Sequence, residues 1–368
     1  MAKKIIFIED HKEIGGGQMN LLALLKALPR DICQPVLLCP EGRLQREAEA
    51  LGLPVRTLVM PVLKNLNLLA YWRSVKVIRD IILREQADIV HTNSLKSNLI
   101  GGVAAKLEHK PLLWHVRVIF RHPLLDTISF LMANRVILVS EAVRRRFLWF
   151  LRKNRKIKVV YNGIDIAAYA SIPLVDIKKE FSLDQGTLLI GMVARLNKGK
   201  GFEYFVQAAE LVLKDQPQAR FLIIGGDFGS AGSYRRKIEK LVAEKGLKDK
   251  VIFTGFRKDV IGIMKSLDIL VLSSESESFG RVLVEAMACG VPVVASRVGG
   301  IPEVVGEDSG ILVQKGDMSG FSQAVNMLLK DKDKAAGLSA RAAKRVQTLF
   351  NIQNNVSSFI AQLPKEQE

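Results

Sequence analysis

The chain has 368 residues, 48% of them apolar, more than one hydrophobic core usually organises, so two domains are predicted. Lys and Arg outnumber Asp and Glu by 54 to 37, a net charge of +17, and the three cysteines, Cys33, Cys39 and Cys289, form no Cys-x-x-Cys pair and have no His at zinc spacing. Disulfide scaffolds, zinc modules and long disorder are excluded, and no apolar run approaches the roughly 18 residues of a membrane span.

The opening MAKKIIFIEDH meets acids after a short apolar run, so it reads as a first strand and not a signal peptide. Together with the cysteine usage, this suggests a reduced, cytosolic chain that is soluble or peripheral. Further strands are expected at 34–39, 55–60, 88–92, 112–116, 135–140 and 157–162, with helical patterns between them. A connection near 163–185 leads to a second series at 188–194, 220–226, 251–255, 268–274 and 291–296. Continuous apolar strands spaced by helices predict parallel sheets covered on both faces. The end, from about 335 to 363, reads as helix, with a frayed Pro-Lys-Glu-Gln-Glu tail. The expected division is 1–165, 166–345 and a C-terminal helix and tail, 346–368.

The basic excess sits in the first half: 27 Lys and Arg against 14 Asp and Glu in 1–165, but 27 against 23 in 166–368. Such a surface suits nucleic acid, an anionic membrane or an anionic substrate, or is simply a solvated basic face.

Ligands of open α/β sheets bind beyond the carboxyl ends of strands, which directs attention to three loops. Gly15, Gly16 and Gly17 follow the first strand and precede a helix, a form that lets backbone amides approach a phosphate. Asn20 breaks the dinucleotide fingerprint and no Walker ending is present, so a plain tight turn fits equally. Arg195 and Lys200 share the loop after 188–194, where two cations can neutralise a diphosphate or form a solvated turn. In ESESFGRVLVEAMACGVPVVAS, a helix starts near Gly280, Glu277 precedes it, and Glu285 lies within its apolar run. An anion site repels carboxylates, so both glutamates suit hydroxyls, such as those of a ribose or hexose diol. Amides, two cations and two carboxylates together describe a nucleotide-sugar site.

The stretch ESFGRVLVEAMACGVPVVASRVGGIPEVV, with seven residues between Glu277 and Glu285, resembles the signature of the family four retaining glycosyltransferases of the GT-B fold, the glycosyl transferases of group 1. The resemblance extends to GMVARLNKGKGFEYFVQAAELV (191–212), VVYNGID (159–165), VSEAVRRRF (139–147) and the glycine loop. It implies two doubly wound Rossmann-like domains facing across a cleft, with a C-terminal helix crossing back. It also implies roles: Arg195 and Lys200 on the donor diphosphate, Glu277 on the transferred sugar, Glu285 on ribose, and Gly15 and Gly16 approaching the diphosphate. His115 would lie near the reacting sugar, and Gly255, Phe256 and Arg257 where the base is held by backbone groups. Ser278, Phe279 and Gly280 complete the donor loop. Three positions depart from the usual pattern: Gln18 for Glu, Ser278 for Gly, and Arg281, a third cation, for an aliphatic residue.

No Asp-x-Asp ends a strand; Asp331-Lys-Asp333 lies in a Lys-rich helical segment. The expectation is metal-independent, retaining transfer of a hexose-type sugar without a cofactor, the departing phosphate oxygen taking the acceptor's proton on the same face. The expected acceptor is a glycolipid or cell-envelope glycan at the cytoplasmic membrane face. A nucleotide-sugar epimerase and a transferase of small molecules are the alternatives. Nucleic-acid binding lacks any module or aromatic platform. His91 ends a strand and reads as structural more than acceptor-lining. Finally, 141–158 joins Phe147, Leu148, Trp149, Phe150 and Leu151 to eight cations, and 72–84 forms a second basic amphipathic pattern. Both are expected to dock on anionic membrane, although an inward core face fits Phe147, Leu148 and Leu151 as well.

Overall fold

Strand composition accounts for the layout of the computed structural model, which describes residues 2–61, 67–227 and 232–364. Runs such as Ile5-Ile6-Phe7-Ile8 and Leu270-Val271-Leu272 have no polar face, and each is buried from end to end in a parallel sheet. The chain divides into two units, 1–164 with 352–368, and 165–351.

The first unit contains β1 (Lys3–Ile8), α1 (Gly16–Ala27), β2 (Cys33–Cys39), α2 (Arg43–Ala50), β3 (Val55–Thr57), α3 (Leu68–Arg84), β4 (Ile89–Thr92), α4 (Leu95–Leu107), β5 (Leu112–Val116), α5 (Pro123–Met132), β6 (Arg135–Leu138) and β7 (Ile157–Val159). Its seven-stranded sheet has the order β3-β2-β1-β4-β5-β6-β7, all pairs parallel. Strand order reverses between β1 and β4. The second unit contains α6 (Ile166–Ser171), α7 (Ile177–Glu180), β8 (Leu188–Val193), α8 (Phe202–Asp215), β9 (Ala219–Ile224), α9 (Ser233–Glu244), β10 (Val251–Gly255), α10 (Val260–Met264), β11 (Ile269–Leu272), α11 (Arg281–Ala288), β12 (Val293–Ser296), α12 (Ile301–Val305), β13 (Ile311–Val313), α13 (Met318–Lys330) and α14 (Lys332–Leu349). Its six-stranded parallel sheet runs β10-β9-β8-β11-β12-β13 and reverses between β8 and β11.

The single C-terminal helix expected from the sequence is two. α14 stops at Phe350, whose ring is buried against Phe279. After Asn351, α15 (Ile352–Ile360) packs on α1 of the first unit, with Phe359 against Phe7 and His91. The piece 346–368 is therefore split, 346–351 belonging to the second unit and 352–364 to the first. Of the tail expected to fray, 365–368 lie outside the described residues. Asp331 caps α14 by accepting from the Lys334 amide, and both acids of Asp331-Lys-Asp333 are exposed.

The segment 141–158 is not an interfacial helix. It forms a 3₁₀ turn, Glu141–Arg146, followed by turns leading to β7. Phe147 and Leu151 are buried, Leu148 is half-buried, and only Trp149 and Phe150 among its large apolar residues are exposed. Arg146 fixes this arrangement. Its buried guanidinium donates twice to Asp126 Oδ1, at 2.9 and 2.6 Å, and to the Val118 carbonyl at 3.1 Å, and lies 5.6 Å from the Trp114 ring centroid. A buried charge persists because its partners are charged or aligned.

Candidate active site

The two strand-order reversals are where loops diverge to either side and leave room for a ligand. In the second unit the loops after β8 and β11 meet at one of them. Ser273 Oγ donates to the Gly201 carbonyl at 2.7 Å, joining the two loops. Gly201 has φ +76°, and a Cβ there would lie 1.9 Å from the Ser273 carbonyl oxygen, so only glycine allows the contact.

This junction brings Lys200 to Glu277: Nζ donates to Oε1 at 2.5 Å, and Ser274 Oγ donates to the same oxygen at 3.2 Å. The Glu277 backbone is held as well. Its carbonyl accepts from the Gly300 amide at 3.0 Å, and a Cβ on Gly299 would lie 1.8 Å from that oxygen. Arg195 stands exposed on the same loop as Lys200. Gly280, at φ +89°, starts α11, whose first-turn amides carry the positive end of the helix dipole. Phe279 is buried beneath.

Glu285 lies one turn into α11, four residues after Arg281. Arg281 Nε donates to Glu285 Oε1 at 2.6 Å, Tyr169 OH donates to the same oxygen at 3.0 Å, and Arg281 Nη2 donates to the Tyr169 oxygen at 2.9 Å. Both charged side chains are nearly buried, 11% and 15% exposed. The carboxylate in the apolar run is thus compensated from inside the chain, and Arg281 is committed to it. Burial and the Glu285 charge push the Tyr169 phenol pKa up, so it stays a donor. Ser278 borders Phe279 at the head of this loop. Gly255 closes β10 at φ +70° and accepts from the Gly225 amide at 3.0 Å. Phe256 is exposed, and Arg257 is clamped by Glu180 and Asp259.

In the first unit the reversal lies between the glycine loop and β4. None of Gly15, Gly16 and Gly17 has a positive φ; a Cβ on Gly16 would meet nothing within 4 Å and one on Gly17 only Arg117 Cδ at 3.5 Å. The chain itself does not demand glycine at 16. Gln18 Oε1 accepts from the Gly15 amide at 3.0 Å, which fixes the entry to α1. Arg117 is the hub here. Nε donates to Asn93 Oδ1 and Nη1 to Asn162 Oδ1, both at 3.1 Å, and Nη2 donates to His115 Nδ1 at 3.3 Å. A guanidinium only donates, so the neutral His115 imidazole carries its proton on Nε2. His115 and His91 are both buried, their rings 5.5 Å apart, and burial followed by the Arg117 charge holds both pKa values well below the ordinary range. His115 Nε2 and both nitrogens of His91 have no partner among the described residues.

Only one group of metal-ligand side chains converges among the described residues: Glu9, Asp10 and His11, with ligand atoms within 4.8 Å of one another. Glu9 Oε1 already accepts from His11 Nδ1 at 2.9 Å, and from the amides of Asp10 and His11. Asp10 and Glu9 push the His11 pKa up to about 10, a protonated ring that competes with a cation.

Sequence reasoning had singled out neither Tyr169, Arg117, Asn93, Asn162 nor Ser274. Asn162 lay within a quoted stretch, VVYNGID, but Tyr169 is 116 positions from its partner and carried no local signal.

Family models match most of the chain: "Glycosyltransferase Family 4" over residues 14–168 and "Glycosyl transferases group 1" over 176–345. N-acetyl-alpha-D-glucosaminyl L-malate synthase of Bacillus anthracis is 32% identical over 225 residues, which span 61% of this chain and 58% of that protein. UDP-Gal:alpha-D-GlcNAc-diphosphoundecaprenol alpha-1,3-galactosyltransferase of Escherichia coli is 26% identical over 97% of this chain and 95% of its own. Among solved structures, Anabaena Alr3699/HepE in complex with UDP and glucose superposes with a TM-score of 0.83 over 98% of both chains at 24% identity, a likeness of fold.

Proposed function

Because this chain belongs to the glycosyl transferases of group 1 and has the GT-B fold, we propose that it moves a hexose-type sugar, with retention, from a nucleoside-diphosphate sugar to a lipid-linked or cell-envelope glycan at the cytoplasmic membrane face. One observation carries the reading: Lys200 meets Glu277 where the loops after β8 and β11 are joined, just before the N-terminus of α11. Lys200 and Arg195 neutralise the diphosphate with the first-turn amides of α11, and no metal is required for that charge. On donor binding, Lys200 is shared between Glu277 and phosphate. Glu277 accepts from a hydroxyl of the transferred sugar, and Glu285, aligned by Arg281 and Tyr169, accepts from the ribose diol. The backbone of Gly255, Phe256 and Arg257 holds the base. Gly16 and Gly17 leave room for phosphate beside their amides, the Gly15 amide being held by Gln18, and the buried Nε2–H of His115, which has no partner among the described residues, is the proposed donor to the sugar.

The step balances without a cofactor. The bond from the anomeric carbon to the phosphate oxygen breaks, the acceptor oxygen bonds to that carbon on the same face, and the acceptor's proton passes to the departing phosphate. The lipid-linked acceptor follows the name of the Escherichia coli relative, aligned almost end to end. The Bacillus anthracis relative supports a small acceptor, L-malate by its name, but over 61% of the chain only. The apolar, cationic surface of the first unit favours lipid.

A thermal-shift comparison of UDP, GDP and ADP tests donor binding. One of them, at about 100 times its dissociation constant, adds about 2.7 kcal/mol of stability. No stabilisation by any nucleoside diphosphate contradicts the reading.

A further inference from the structure

Exposed apolar side chains are unevenly divided. Of the 20 large ones among the described residues, all but Leu174 and Phe256 belong to the first unit. That unit also holds the charge, 28 Lys and Arg against 15 Asp and Glu, compared with 26 against 22 in the second.

Helix α5 is turned with an apolar face outward. Asp126, Ser129 and Phe130 face the core, while Leu124, Ile128 and Leu131, at i, i+4 and i+7, are exposed, Leu124 by 72% and Leu131 by 65%. A surface helix normally places polar residues there. Phe120, 69% exposed, precedes the helix. The Arg146–Asp126 pair and the Phe147–Phe130 ring contact, at 5.9 Å, fasten the turn bearing Trp149 and Phe150 to the same helix. Trp149 is 78% exposed. The segment bearing this apolar face is cationic: 117–158 contains 11 Lys and Arg, of which Arg146 is buried and Arg117 is bonded internally, and two acids, Asp126 and Glu141. Asp126 is spent on the buried Arg146 and Glu141 pairs with Arg144 at the surface, while Arg121, Arg145, Lys153 and Arg155 are exposed.

We propose that α5, with Phe120, Trp149 and Phe150, is a surface that docks on an anionic lipid bilayer. It deepens the lipid-acceptor reading above and rests on it for its purpose, but not for its evidence. The charge selects the occupant, since a cationic rim suits anionic headgroups, and an apolar stripe of one short helix enters the interface without crossing it. The 3₁₀ turn serves as a support: its inward residues anchor it and its tip presents two aromatics.

Flotation with phosphatidylglycerol-rich vesicles tests the surface. Wild type co-floats at low salt, stays behind with phosphatidylcholine, and is released at about 0.5 M salt. Leu124→Gln with Leu131→Gln, both solvent-exposed, weakens vesicle partition about tenfold or more. Arg121→Gln with Arg145→Gln weakens it only on anionic vesicles, and Leu83→Gln on α3 leaves it unchanged. Wild type remaining soluble with anionic vesicles overturns the proposal, as does flotation of the Leu124/Leu131 variant at the wild-type level. A concentration-dependent dimer that the Leu124/Leu131 variant abolishes, without vesicle binding, assigns the face to a second copy instead. The thermal shift with UDP, GDP or ADP is read on the same samples. Flotation without any nucleotide shift sinks the transferase reading alone, and a nucleotide shift without flotation sinks the docking surface alone.

Discussion

Glu285 joins an internal pairing role to a proposed binding role. Its carboxylate compensates Arg281 and Tyr169 inside the second unit, and the same carboxylate is the proposed ribose ligand. Glu285→Ala leaves Arg281 nearly buried without a counter-charge, which costs roughly 2–3 kcal/mol, less than for a fully buried pair. It also weakens nucleoside-diphosphate binding. Glu285→Gln keeps an acceptor for Tyr169 and loses less of both. Arg195→Ala is the contrast, because Arg195 is exposed and makes no ion pair among the described residues. It leaves the melting temperature in place and lowers turnover by on the order of 3 kcal/mol, a preorganised charge lost from the leaving group. Melting curves and kinetics on the three variants check this. Equal stability of wild type and Glu285→Ala, or full turnover by Arg195→Ala, contradicts the assignment. Arg195, Lys200 and Glu277 stood out as candidates because each lies on a loop beside a strand end, and Glu285 because a carboxylate in the apolar run of a helix needs a partner. Tyr169 and Arg117 did not, since their significance comes only from partners far away in the chain.

Among elements, β4 and β5 bury His91 and His115 as neutral bases, which gives the first unit an acid sensitivity. The unfolded chain takes up these protons near pH 6.5 and the folded chain only well below it. Stability is therefore full above about pH 6.5 and falls as the pH drops, by up to about 1.4 kcal/mol per pH unit for each histidine. His11 has the opposite sign: held protonated by Asp10 and Glu9, it contributes below pH 6.5 and is lost as the pH rises toward about 10. His91→Phe, set among Phe7 and Phe359, roughly halves the acid slope measured by urea unfolding between about pH 7 and pH 5. An unchanged slope contradicts it. The strands were legible because a parallel strand covered on both faces is one continuous apolar run. β13 was missed because its apolar run is only Ile311-Leu312-Val313, whereas β3 and β7, equally short edge strands, sit within longer β-rich stretches at 55–60 and 157–162. In 141–158 and α5 the apolar residues were visible, but periodicity does not say which face turns inward. The Arg146–Asp126 pair decides that, drawing Phe147 and Leu151 in and leaving the Leu124 face out.

On the scale of the whole molecule, the chain divides its chemistry. The second unit, nearly balanced in charge, holds the cations and carboxylates proposed for the donor. The first, strongly basic and apolar on one face, holds His115, the glycine loop and the proposed bilayer surface. No helix among the described residues is long and apolar enough to cross a membrane, and the attachment proposed for α5 is of the peripheral kind. On this proposal the basic excess of the first unit concentrates the protein at an anionic leaflet while donor chemistry stays in water. The most direct test is transfer itself: UDP-sugars offered with a polyprenyl-diphosphate-linked sugar acceptor in phosphatidylglycerol vesicles containing EDTA, with the anomeric configuration of the product read by proton NMR. The account predicts one new glycosidic bond with the donor's anomeric configuration and one UDP released per sugar transferred. An inverted product, or transfer that stops in EDTA and returns with magnesium, contradicts it.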